Sequence, residues 1–268
     1  MAKMPGKNPK PPQAPSPEPL SPRPETGGAP GEWRFRRVLL KISGEVLQGA
    51  AGFGLDAAQL QEVASQIAEL SRLGIVLGVV VGGGNIFRGK LLIAKGLDRV
   101  TGDQMGMLAT LINALAIQDA LSRLGSESRV LCAFPAPPLC ETHNRLAALR
   151  HLEKGRVIIF AGGTGSPFFT TDTAAALRAG EMRAEAILKA TKVDGVYDRD
   201  PALDAGARLF PTISYAEAIA RGLGVMDQAA MSLAQAHGIP TVVFNLKVYG
   251  NILKVVRGEA LGTTVTPI

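Results

Sequence analysis

From residue 37 onward, short unbroken runs of apolar residues alternate with longer stretches in which apolar residues recur every three or four positions. Short runs closed by glycine are the pattern of parallel strands covered on both faces, and the three-to-four recurrence is that of helices with one apolar side. Residues 37–43 (R-V-L-L-K-I-S) predict a first strand, and Asp56 is placed to cap a helix whose Leu60, Val63, Ile67 and Leu70 share one face, closed by Gly74. Residues 75–81 predict a second strand, 102–123 a long helix, 130–134 a strand and 144–153 a short helix. Strands at 157–160, 186–191, 241–244 and 263–266 follow, with helices starting at Asp172 and over 214–221, 227–237 and 250–257. Repeated strand and helix units of this kind predict an α/β fold with a mainly parallel sheet covered on both faces.

The stretch over 157–172, V-I-I-F-A-G-G-T-G-S-P-F-F-T-T-D, combines a buried-type strand with a glycine loop carrying four hydroxyls, Thr164, Ser166, Thr170 and Thr171. The glycines let backbone N–H groups approach a ligand, and Asp172 falls where the next helix is expected to begin. Such a loop is either a simple connection or an oxyanion site, since helix N-termini at the carboxyl edge of a parallel sheet gather phosphates. Similar breaks occur elsewhere. Lys41 stands at the end of the first strand, three glycines (82–84) close the second with Arg88 nearby, and Lys189 and Thr191 close the strand before a loop that holds Tyr197 and Asp200.

Composition narrows the classes. The chain has 268 residues and 46% hydrophobic content, enough for a sizeable core. The longest apolar run, around residues 74–81, is short of the roughly 20 residues of a membrane helix, so no membrane partner is expected. Of the net charge of +6, half lies in residues 1–36, with six Lys/Arg against three Glu, and the remainder is too weak to argue for nucleic acid. Residues 1–32 hold ten of the 18 prolines without apolar periodicity, which predicts a disordered Pro-rich extension over 1–35 and a folded domain over 36–268. That extension has neither the apolar segment of a signal peptide nor the composition of a transit peptide. Two cysteines, Cys132 and Cys140, form no disulfide framework, and His143, His151 and His237 show no ligand spacing, which fits a reducing, cytoplasmic compartment and no protein-held metal.

Residues 84–90 match G-x-x-x-x-G-K, but Leu91 follows where a P-loop needs Ser or Thr for magnesium, so Lys90 belongs to an incomplete pattern. Arg88 then reads either as a fork-shaped phosphate donor or as a surface arginine in a turn. Asp103, near the expected start of the long helix, either caps it or accepts hydroxyls from a sugar, capping being the expectation from position alone. Tyr197 can stack on a base.

In order and spacing, K-I-S-G (41–44), G-G-G-N-I-F-R-G (82–89), G-D-Q-M-G (102–106), G-T-G-S-P-F-F-T-T-D (163–172) and K-A-T-K-V-D-G-V-Y-D-R-D-P (189–201) resemble the bacterial UMP kinase branch of the amino acid kinase family over residues 36–268. The resemblance implies a three-layer αβα sandwich, transfer of the ATP γ-phosphoryl group to UMP, Mg²⁺ brought with the ATP phosphates, a homohexamer, and control by GTP and UTP. It implies ATP contacts at Lys41, Ile42, Ser43, Gly44, Gly84, Arg88, Thr191, Tyr197 and Asp200. It implies UMP contacts at Gly83, Asp103, Thr164, Gly165, Ser166, Pro167, Phe168, Phe169, Thr170 and Thr171. Lys41, Arg88, Lys189 and Asp172 take the catalytic roles, the last as the acid that orients the lysines, and Gly49, Ala50, Ala51, Gly52, Phe53 and Gly54 correspond to a GTP-activation loop. The chain departs from that pattern in its long N-terminus, at residues 140–144, and in Ser166, which stands where Asn is frequent.

The chemistry agrees with the residues. In-line transfer between two anions needs cations and N–H groups more than a covalent nucleophile, and no catalytic His or Cys is required. A nicotinamide oxidoreductase would need G-x-G-x-x-G, and Phe168 occupies the third glycine position after Gly163 and Gly165. Another kinase of the same family acting on acetylglutamate, aspartate or carbamate, or a non-catalytic nucleotide sensor, are the remaining alternatives.

Overall fold

The computed structural model describes residues 33–89, 93–204 and 206–268. Its strands are β1 (Arg37–Ile42), β2 (Val76–Val81), β3 (Ser128–Cys132), β4 (Glu141–Thr142), β5 (Val157–Ala161), β6 (Ala186–Thr191), β7 (Thr212–Ser214), β8 (Thr241–Asn245) and β9 (Thr263–Thr266). Its α-helices of known extent are α1 (Ala57–Arg72), α2 (Arg99–Arg123), α3 (Arg145–Glu153), α4 (Thr171–Glu181), α5 (Tyr215–Ala220), α6 (Gln228–Ala236) and α7 (Asn251–Arg257). The strands form one sheet in the order β4-β3-β5-β2-β1-β6-β8-β9-β7, parallel throughout except for the antiparallel pair β8 and β9.

Strand alternation produces the layers. Along β1, Val38, Leu40 and Ile42 point into one core with α1, α2 and α7, while Leu39 points into the other with α3, α4, α5 and α6. This is the expected αβα sandwich. β1 lies between β2 and β6, so the chain leaves it in opposite directions on its two sides, and the crevice at such a switch point is where ligands bind in open parallel sheets.

Several expectations shift. Asp56 caps α1 as predicted, accepting from Ala58 and Gln59 N–H at 3.0 Å each. Thr170, rather than Asp172, caps α4, and Asp172 sits in the first turn. α2 begins at Arg99 with Asp98 as its cap, which accepts from Thr101 N–H at 2.9 Å and leaves Asp103 inside the helix. With 25 residues α2 is also long and apolar enough to cross a membrane, unlike the run at 74–81, but half of its most apolar window is buried and it packs on α1 and β3. The fold reaches upstream of residue 36: Phe35 is buried, and the N–H groups of Arg34 and Phe35 both donate to the Val256 carbonyl. The expectations for residues 1–32 and for Lys90 lie outside the described residues.

Candidate active site

The register of the sheet puts two lysines side by side. β1 and β6 pair so that Lys41 stands opposite Lys189, both near the carboxyl edge. From above, α4 lowers Asp172 between them: Lys41 Nζ lies 2.7 Å from Oδ1 and Lys189 Nζ 2.8 Å from Oδ2. Lys189 also donates to the Val225 carbonyl. All three side chains are at least 86% buried. Burial pushes the Asp172 carboxyl up, but the Lys41 and Lys189 ammonium groups outweigh it and hold the carboxyl below its ordinary value. Burial likewise pushes the Lys189 ammonium down, against the attraction of Asp172.

Two glycine loops close over this edge. A Cβ on Gly44 would lie 2.4 Å from the Gly82 carbonyl, so only glycine lets the two backbones meet. Gly83 rests on α2, where a Cβ would meet Ala109 at 2.8 Å and the Gly106 carbonyl at 2.9 Å. Ile42 is fully buried, and Ser43 leads in extended conformation into the 3₁₀ turn at Gly44–Val46. Arg88 is exposed and its guanidinium turns toward the 49–54 loop, with long contacts to the Gly84 carbonyl (3.4 Å) and the Gly52 carbonyl (3.5 Å). The structure therefore brings Lys41, Lys189 and Asp172 together and leaves Arg88 at the rim.

The 162–171 loop faces the same edge. Asp103, freed from capping, accepts from Phe168 N–H at 2.8 Å and pairs with Arg99 at 2.9 Å. Phe168 has φ 73°, a left-handed conformation rare for an aromatic residue, and both Phe168 and Phe169 are exposed. Thr164 folds the loop locally, accepting from Ser166 N–H at 3.2 Å, while a Cβ on Gly165 would meet the Ala133 carbonyl at 3.2 Å. Pro167 lies between Ser166 and Phe168, and Thr171 Oγ1 would be 3.7 Å from a Cβ on Gly82, so the two loops adjoin.

On the other side, the Thr191 hydroxyl donates to the Val193 carbonyl at 2.8 Å. Tyr197 bridges to Leu209, and Asp200 accepts from Ala202 N–H at 2.9 Å, so this loop is a turned-back hairpin. In the 49–54 loop, Gly52 and Gly54 have φ of 69° and 79°, Gly49, Ala50 and Ala51 precede them, and Phe53 is exposed.

Sequence reasoning missed four contributors. Asp227, at the start of the helix expected over 227–237, caps it by accepting from Ala230 N–H at 2.9 Å, while its other oxygen accepts from the Thr170 and Thr173 hydroxyls and anchors the start of α4. Thr110 Oγ1 accepts from Gly162 N–H at 2.8 Å, and Asn85 pairs with Asn113 beneath the glycine loops. Only the packing of α2 and α6 reveals them. Among the described residues no group of three His, Cys, Asp or Glu side chains can hold a metal, and both Asp172 oxygens face lysines.

The amino acid kinase family model matches residues 36–245. The chain is 53% identical over 232 residues to uridylate kinase from Rhizobium meliloti (strain 1021), covering 87% of this chain and 97% of that protein. It is also 53% identical over 231 residues to uridylate kinase from Agrobacterium fabrum (strain C58 / ATCC 33970), covering 86% and 96% respectively. A crystal structure of UMP kinase from Bacillus anthracis superposes with TM-score 0.84 at 38% identity, over 87% of this chain and 96% of that one. With a buried lysine pair bridged by one carboxylate at the switch point of an αβα sheet, and with these matches across most of its length, the chain belongs to the amino acid kinase family.

Proposed function

We propose that this chain is a UMP kinase that transfers the γ-phosphoryl group of ATP to UMP, giving UDP and ADP. The observation that carries the reading is the pair Lys41 and Lys189 held by Asp172 at the β1 switch point, directly beside the 162–171 loop. Charge builds on the equatorial oxygens of the transferring group, and two fixed ammonium groups in a buried setting stabilise it without reorganisation. Asp172 holds both lysines in place and opposes the burial that pushes the Lys189 ammonium down. The acceptor needs no strong base, because a UMP phosphate oxygen is already anionic near neutral pH.

Gly44, Gly82, Gly83 and Gly84 offer backbone N–H groups to phosphates, and Arg88 swings from the rim onto the ATP phosphates when they arrive. Thr191, Tyr197 and Asp200 hold adenosine. Asp103 and the 164–171 segment hold UMP, with Asp103 toward the ribose. No side chain among the described residues is assigned to hold magnesium; brought with ATP, it would supply charge neutralisation at the phosphates.

The finer points rest on the resemblance. A homohexamer is supported by the exposed apolar row Met105, Leu108 and Ile112 on α2. GTP activation is assigned to the 49–54 loop, which touches Arg88 and Asn85, and UTP control rests on the resemblance alone, with no residues assigned to it. A cytoplasmic setting suits the free thiols Cys132 and Cys140. A coupled ADP-release assay offering UMP, CMP, aspartate, acetylglutamate and carbamate tests the reading. Turnover with UMP well above the others is expected, and turnover with an amino-acid acceptor instead overturns it.

A further inference from the structure

Beneath the junction of the glycine loops lie two amides that make no use of solvent. Asn85 and Asn113 are 1% and 0% exposed. They bond to each other twice: Asn113 Nδ2 donates to Asn85 Oδ1 at 2.7 Å, and Asn85 Nδ2 donates to Asn113 Oδ1 at 3.0 Å. Each amide has one further N–H. That of Asn113 donates to the Gly82 carbonyl at 2.7 Å, and that of Asn85 to the Gly54 carbonyl at 2.8 Å. Gly54 N–H donates back to the Asn85 carbonyl at 2.8 Å. All four side-chain N–H groups are thus used within one closed network, the condition under which a buried polar cluster fixes a single geometry.

The groups it grips are those of the proposed site. Gly82 directly follows β2, Gly54 ends the 49–54 loop, and a Cβ on Gly44 would lie 2.5 Å from Asn85 Oδ1, so the β1 loop rests on the same amide. Asn113 belongs to α2, which also holds Gly162 through Thr110 and Phe168 through Asp103. Residues 103, 110 and 113 lie on one side of the helix.

We propose that the Asn85–Asn113 pair is a positioning device: it fixes the Gly44 and Gly82 loops against α2, and so sets the distance between the ATP cradle and the UMP loop carried by the same helix. The inference rests on the phosphoryl-transfer reading above. Neither side chain touches a reacting atom; both act through backbone carbonyls, where a misplacement of about 1 Å costs about 10² in rate.

The test uses the full chain with Asn113→Leu and with the double variant Asn85→Leu/Asn113→Leu. The single change strands the Asn85 amide and should lower the melting temperature by roughly 5 °C, kcat by about 10²-fold and Mg·ATP affinity severalfold. The double change removes the stranded amide but leaves the Gly82 and Gly54 carbonyls without these donors, and should recover part of the melting temperature. Its kcat and Mg·ATP affinity stay low if the pair positions the cradle. Recovery of kcat together with stability overturns the proposal, as does a single variant with native kcat and ATP affinity. If the native chain binds Mg·ATP by calorimetry but leaves UMP unphosphorylated, the acceptor reading fails while the ATP affinities of the series still decide on the pair. A native chain that binds no ATP overturns both.

Discussion

Asp172→Asn removes one charge from a buried group of three and keeps its shape. At an effective dielectric constant of about 20, unit charges 4 Å apart interact by about 4 kcal/mol. Asp172 makes two such attractions, at 2.7 and 2.8 Å, which outweigh the one repulsion between Lys41 and Lys189. In the variant only the repulsion remains. Breaking a buried pair on one side costs about 3–5 kcal/mol, so the variant should melt roughly 10 °C lower at pH 7. The pH dependence follows from the directions of the shifts. The Asp172 carboxyl titrates lower in the folded state than in the unfolded one, so its contribution is present above about pH 3.9 and is lost as pH falls through the folded value. Lys189 is shifted down, so the unfolded chain holds more protons on the alkaline side, and stability rises with pH up to about 10.4. Without Asp172 the downward shift of Lys189 deepens, because the attraction that opposes burial is gone. The deficit of the variant should therefore be at full size at pH 5 and 7 and smaller at pH 9.5, nearer the range in which lysines lose their protons. Melting curves of both proteins by circular dichroism at pH 5, 7 and 9.5 measure it. A melting temperature within 2 °C of native at pH 7, or a deficit that does not change with pH, would refute the reasoning.

Lys41→Ala should lower kcat by about 10²–10³ with the fold intact, and Arg88→Ala by at least as much, since phosphoryl-transfer arginines reach about 10³–10⁵; Lys90→Ala should change little, and steady-state kinetics of the three decide between this site and a P-loop. Asp103→Asn should raise the KM for UMP with a smaller effect on kcat, because a ribose contact made equally in ground and transition states is uniform binding; a collapse of kcat at unchanged KM assigns Asp103 another role. Deleting residues 1–32 should leave melting and turnover unchanged, whereas deleting 1–36 should cost about 3 kcal/mol through the loss of buried Phe35 and its backbone bond to Val256, which denaturant titration reads directly.

Where the sequence predicted correctly, the signal was local. The apolar runs that became β1, β2, β5, β6, β8 and β9 are bounded by glycine or polar breaks, Asp56 caps its helix as expected, and the helices expected from 144 and 214 begin there, capped by Asn144 and Ser214. β4 and β7, of two and three residues, are too short to leave a run, and their pairing is imposed by neighbours. α2 begins three residues before the expected 102, at Arg99, because Asp98 supplies the cap, although Gly102 weighs against a helix. Lys41, Lys189 and Asp172 were each legible as candidates. Their convergence was not, because the register that sets Lys41 opposite Lys189 depends on β6 pairing with β1 across more than 140 residues of chain. Asp227 was hidden for a related reason: one oxygen does the capping its position suggests, and the second role exists only because α4 packs on α6.

The central claim is that the lysine pair at the β1 edge moves a phosphoryl group from ATP to UMP. Incubating the chain with Mg²⁺, UMP and ATP carrying ¹⁸O on its γ-phosphoryl group, and weighing the products by mass spectrometry, tests it most directly. The account predicts labelled oxygens in the β-phosphoryl group of UDP and none there with Lys41→Ala. Label found only in free phosphate, or an unchanged yield of labelled UDP from Lys41→Ala, would contradict it.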